Sequence, residues 1–191
     1  MKKLYVLMFF IYSIVSLAEG TDKIEFRIGG NLVGKYKEVN TVNFKNDSEP
    51  QGIGYEFIVE LIHEPIQDLI TGLGIGYQRE GEIKIEGRNY GIIDTIPIYA
   101  TIKYRFSEVG RYKPYIKLNL GVSIPYTRSD LDRTGVTAET GFYYSLGGGV
   151  EYENMIIDLS YQYNGNKLDG DYDGKVELST LTLGIGYRLD I

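Results

Sequence analysis

The sequence predicts an all-β chain, an eight-stranded antiparallel up-and-down transmembrane β-barrel behind an N-terminal signal peptide. Three observations predict it. The chain opens on an export segment, about eight later segments alternate apolar and polar residues, and the links between those segments alternate long and short.

Lys2 and Lys3 precede an apolar run from Leu4 to about Leu17, and Ser16-Leu17-Ala18 ends it with the small residues of a cleavage site. Cleavage after Ala18 makes residues 1–18 a signal peptide and residues 19–191 a single barrel domain. The run is short of the ~20 apolar residues that a membrane-spanning helix needs. No Cys stands at the cleavage point to carry a lipid, and a chain without Cys has no disulfides to hold an exported fold.

Composition narrows the class further. The 191 residues include 24 Gly and 18 Tyr, no Trp, and 20 Lys+Arg against 26 Asp+Glu for a formal charge of -6. Loss of Lys2 and Lys3 with the signal peptide leaves 18 basic against the same 26 acidic residues, a net of -8. An anionic chain without a Lys/Arg run is a poor partner for nucleic acid. Mean hydropathy is only -0.17, which does not by itself announce a membrane protein. Barrel walls, however, use Gly at tight curvature and Tyr where water meets hydrocarbon.

The strands follow from period-two alternation, which no amphipathic helix produces. The first segment sets Ile24, Phe26, Ile28 and Leu32 on one face against Lys23, Glu25, Arg27 and Asn31. In the second, Tyr55, Phe57, Val59 and Leu61 oppose Gly54, Glu56 and Glu60; in the third, Leu69, Leu73, Ile75 and Tyr77 oppose Gly72, Gly74, Gly76 and Gln78. The fourth sets Ile96, Ile98, Ile102, Tyr104 and Phe106 against Thr95, Pro97, Tyr99, Lys103 and Arg105. The fifth runs from Ile116 to Tyr126 over Lys117, Asn119 and Ser123, and the sixth sets Tyr144, Leu146, Val150 and Tyr152 over Ser145 and Glu151. A short seventh, Ile157 to Tyr163, lies over Asp158, Ser160 and Gln162, and the last sets Leu181, Leu183, Ile185, Tyr187 and Leu189 over Thr180, Thr182, Gly184, Gly186 and Arg188.

Alternation alone fits a soluble barrel as well as a membrane barrel. The links decide. Those at 34–51, 79–92, 127–141 and 164–175 are long and polar, whereas those around 64–68, 107–113 and 153–154 are shorter. Outer-membrane barrels have short periplasmic turns and longer extracellular loops. On that path Tyr55, Tyr77, Tyr126, Tyr144, Tyr161 and Tyr163 form an outer aromatic girdle, and Phe26, Tyr104, Phe106, Tyr152 and Tyr187 an inner one. The inward faces carry Glu25, Glu56, Glu60, Glu151 and Asp158 with Arg27, Lys103, Arg105, Lys117 and Arg188. Buried charges persist when paired, and eight strands leave just enough room for side chains, so a filled lumen with a mutual charge network is expected.

Other chemistry finds little support. The thrice-repeated "GIGY", ending at Tyr55, Tyr77 and Tyr187, lacks the third glycine of a dinucleotide fingerprint, because Phe57, Arg79 and Leu189 stand there. The acidic run 169–174 resembles the start of a calcium loop but puts Thr180 where the bidentate Glu belongs. A lone histidine, His63, sits beside Glu64-Pro65 with no second His. No catalytic residues, metal ligands or cofactor are expected.

These features together resemble the small outer-membrane β-barrel proteins of the OmpX/Ail and OmpA-transmembrane type. The segments "IPIYATIKYRF" and "KPYIKLNLGVS" are similar to that family's central hairpin, and Thr182, Gly184, Tyr187 and Leu189 to the C-terminal signal read by the barrel-assembly machinery. The chain departs from members that end in Phe, since it continues through Asp190 to Ile191. The resemblance implies an outer-membrane location, contact with lipid and lipopolysaccharide, a monomer, and a structural or surface-interaction role such as adhesion through the extracellular loops. The alternative is a small pore or transporter for small solutes.

Overall fold

A computed structural model describes residues 22–37, 54–81, 83–85, 88–90, 93–127, 137–169 and 174–190. The proposed signal peptide, residues 1–18, lies outside them. The described strands are β1 (Asp22–Lys37), β2 (Tyr55–Ile66), β3 (Leu69–Arg79), β4 (Ile83–Ile85), β5 (Arg88–Tyr90), β6 (Ile93–Arg105), β7 (Tyr112–Thr127), β8 (Thr137–Tyr152), β9 (Met155–Asp169) and β10 (Gly174–Asp190). Eight of them close a barrel in the order β1-β10-β9-β8-β7-β6-β3-β2, every neighbouring pair antiparallel. β4 and β5 form a separate small hairpin within the second long link.

The core is inverted relative to a soluble barrel. Outward residues such as Ile28 (58% exposed), Ile102 and Leu183 are apolar and uncovered, while Glu56, Lys103, Asn119 and Thr182 are buried inside. This distribution matches hydrocarbon outside, with closure leaving no sheet edge among the eight staves. Each stave keeps period two almost throughout. Breaks occur between Asn31 and Val33, where Leu32 and Val33 are both exposed, between His63 and Ile66, and between Glu139 and Phe142.

Glycines make space for the filling. A Cβ on Gly74 would lie 2.5 Å from the Tyr99 ring, and one on Gly121 would lie 2.6 Å from Tyr99 Cα. The Tyr99 ring therefore lies over β3 at Gly74, while at Gly121 the β7 backbone comes close to that of β6. The short turns are as compact as their polarity suggests: residues 67–68 join β2 to β3 and 153–154 join β8 to β9, with Asp68 at φ 67 and Glu153 at φ 53. Between β3 and β6 the ladder runs from Leu69↔Tyr104 to Ile75↔Ile98 and resumes at Gln78↔Thr95. It lapses opposite Pro97, which has no N–H to give.

Two expected links are shorter than the sequence suggested. β8 begins at Thr137, β9 continues to Asp169 and β10 begins at Gly174, so the third link is 128–136 and the fourth is 170–173. The seventh segment, taken as short, belongs to a strand of 15 residues. The physical reason is that a strand beyond the lipid has water outside it. Its outer face then has no need of apolar residues, and alternation disappears from the sequence while the hydrogen-bonded ladder persists, as in Lys37↔Glu177 and Val176↔Asn166.

Candidate functional site

Strand phase places all ten inward charges in the lumen, each at most 7% exposed. They fall into two linked groups. At the short-turn end, Lys103 Nζ donates to both oxygens of Glu25 at 2.8 Å and to Glu151 at 3.3 Å. Arg188 donates through Nε to Glu25 at 2.8 Å and through Nη1 to Glu151 at 2.9 Å. Arg105 contacts Glu151 at 3.7 Å and is also held by Glu64. Glu64 continues the inward phase of Glu60 and Ile62, a signal that was present in the sequence but masked by the adjoining Pro65.

In mid-lumen Arg27 donates to Asp158 at 2.7 Å and faces Glu56 at 3.5 Å. Lys117 stands 3.5 Å from both Glu60 and Asp158. Tyrosine hydroxyls complete the carboxylates: Tyr99 donates to Glu60 at 2.7 Å and Tyr115 to Asp158 at 3.1 Å. The Tyr115 ring also lies under Lys103, 4.8 Å from its ammonium. Tyr99 and Tyr143 pack with ring centroids 5.3 Å apart against Ile58, and Tyr143 is fully buried. Tyr115 and Tyr143 were not among the residues selected from the sequence. Their inward phase was legible, but an aromatic on a polar face carries no label that separates a filler from a boundary residue.

Toward the long links the filling turns from charges to amides. Glu56 accepts from Gln78 at 3.0 Å and from Gln162 at 2.9 Å, and the two glutamines also bond to each other. Asn164 donates to Gln78, and Thr182 donates to Asn31, which in turn donates to Glu80 at 2.7 Å. Glu80 extends the phase of Gln78 by one step. With Glu64 and Glu80 included, the lumen is not the balance of five acids against five bases read from the sequence; carboxylates are in excess.

The eleven aromatic residues assigned to the two girdles lie on the outer wall. Phe26, Tyr55, Tyr104, Phe106, Tyr126, Tyr161 and Tyr187 are exposed, whereas Tyr77, Tyr144, Tyr152 and Tyr163 are half-buried by their neighbours. Tyr144 stacks on Tyr163 with centroids 5.1 Å apart, and Tyr104 meets Phe106 edge-on at 5.3 Å. Tyr77 donates to Asp94 at 2.6 Å across the seam at Pro97. Of the four residues of the suggested assembly signal, Thr182 and Gly184 are buried inward, and Tyr187 and Leu189 are exposed outward. His63 is buried at the short-turn end of β2. No cluster of three or more metal-ligating side chains occurs among the described residues.

The architecture recurs in solved structures. The barrel aligns with Neisserial surface protein A (18% identity, TM-score 0.52, 87% of this chain and 96% of that one). It aligns also with OprG of Pseudomonas aeruginosa (12%, 0.53, 91% and 98%) and with the outer-membrane protein AlkL (12%, 0.57, 91% and 92%). This chain has the fold of the small eight-stranded outer-membrane β-barrels. No family model matches it. At the sequence level the barrel resembles an uncharacterized Pasteurella multocida protein, 21% identical over 85% of this chain and 86% of that protein. It also resembles an uncharacterized outer-membrane protein of Sinorhizobium fredii, 24% identical over 60% of this chain and 55% of that protein.

Proposed function

We propose that this outer-membrane barrel is a structural or surface-interaction protein, a rigid stave ring that carries four extracellular links and passes no solute. One observation carries the reading: mid-lumen is occupied by the Tyr99–Tyr143 pair, with the Arg27–Asp158 and Lys117–Glu60 contacts beside it. An eight-stranded barrel has room for such a filling and little more. A charge-selective pore would favour a ring of one sign in place of interleaved acids and bases.

In this reading the ten lumen charges are structural, and the tyrosines and phenylalanines on the wall mark the two headgroup levels. The chain is exported with cleavage after Ala18 and inserted through the assembly machinery by way of Thr182, Gly184, Tyr187 and Leu189. It is a monomer in contact with outer-membrane lipid and lipopolysaccharide, its links meet a host or cell-surface ligand, and it catalyses no reaction. Planar-bilayer recordings test the closed lumen: silence or rare defects are expected, and a steady unitary conductance would replace this reading with a small pore. Binding of cells carrying the barrel to host or envelope surfaces, lost when the four links are shortened, tests the surface role.

A further inference from the structure

The short-turn end of the lumen opens into a cavity of about 180 Å³. Five cationic side chains line it, Lys23, Arg105, Arg111, Lys113 and Arg188, against the carboxylates of Glu151, Glu153 and Asp190. Most of these are already engaged. Glu151 takes Lys103, Arg105 and Arg188 together, and Asp190 faces Lys23 at 3.5 Å. From beyond the cavity wall Glu64 holds Arg105, and Glu108 holds Lys113 at 2.8 Å.

What remains unspent is mainly donor capacity. Arg111 is exposed and makes no ion pair among the described residues. Arg105, with a side chain only 8% exposed, lines the cavity while its guanidinium is shared between Glu64 and Glu151. The carboxylate without a described partner is Glu153, held in the left-handed turn. We propose that this mouth binds a small oxyanion, a carboxylate or phosphate group, between the guanidinium groups of Arg111 and Arg105, both of which line it.

Guanidinium forks suit such groups because their parallel N–H donors match two oxygens of one anion. The cavity has room for a small anionic group and falls short of the ~300 Å³ or more of a drug-sized site. The site lies at the opposite end of the barrel from the long links. In an outer-membrane barrel the short turns face the periplasm, so the anion arrives from there, free in solution or on a lipid headgroup.

The test uses the full mature chain, refolded in phosphate-free maltoside micelles, with inorganic phosphate as probe and chloride at matched ionic strength as control. Arginine Nε–H signals are followed by NMR. Saturable shifts at Arg105 and Arg111 are expected with phosphate and not with chloride. Arg111→Glu should weaken binding tenfold or more, and Glu153→Gln should tighten it severalfold. Arg105→Lys should also weaken binding; should that variant fail to fold, the exposed turn residue Arg111 decides alone. Non-saturating shifts, shifts shared with chloride, or an affinity indifferent to Arg111→Glu would overturn the site. Doping the micelles with phosphatidylglycerol separates the sources: a headgroup occupant shifts the same signals without added phosphate and then competes with it, while a soluble occupant leaves them unmoved.

Discussion

Lys103 shows what a single lumen residue contributes. Its ammonium is completely buried and bridges Glu25 and Glu151. Lys103→Met would leave two carboxylates short of a cation, and removal of one member of a buried ion pair costs about 3–5 kcal/mol. Lys113, paired with Glu108 in the open, offers the contrast: Lys113→Met should cost about 0–1 kcal/mol. Urea unfolding of both variants in lipid vesicles checks the difference, and equal midpoints would contradict the buried network. Glycine gives a second contrast. Gly121→Ala drives a methyl into the Ile98 carbonyl and the Tyr99 backbone and should cost about 1–3 kcal/mol. Gly30→Ala, with open space around its Cβ, should be neutral within about 0.5 kcal/mol in the same assay. Which residues face inward could be read from phase alone, down to Pro97 on the polar face. That the Tyr99 ring would cover Gly74 could not, because that glycine lies 25 positions earlier, on another strand.

At the scale of a strand, β10 carries its own test. Leu183 is 44% exposed on the lipid side, and Thr180 is buried toward the lumen. Leu183→Arg should cost about 2–4 kcal/mol or block assembly, as a cation does near the bilayer midplane. Thr180→Ser, which keeps the hydroxyl, should be nearly silent. Heat-modifiable gel mobility reads both, and equal damage would reverse the assigned faces. The eight staves were legible because lipid imposes an apolar outer face on each, as in Ile98 and Ile102 of β6. Their far ends were not: Asn164 and Asn166 point inward while water lies outside, so β9 reads as a loop beyond Tyr163 although its pairing with β10 continues. The lapse opposite Pro97 lies between these cases. The missing N–H was evident in the sequence, but the partner it would have bonded was set only by the register of β6 on β3.

For the whole molecule the expectation is a closed, SDS-resistant cylinder. Unboiled protein should run faster than boiled protein, and protease added to intact cells should cut within the long links and spare the turns at 67–68 and 153–154. Failure of the mobility shift, or cleavage at those turns from outside, would contradict the orientation. The cylinder is also uneven. β1, β7, β8, β9 and β10 span 15 to 17 residues, whereas β2, β3 and β6 span 11 to 13. At ~3.3 Å per residue the longer staves exceed what a membrane crossing of ~9–11 residues requires. One flank therefore presents paired backbone above the headgroups. An antibody raised against that flank on native cells would read a folded surface assembled from several staves, so its epitope should vanish when the protein is boiled, and short linear peptides from β9 or β10 should fail to compete.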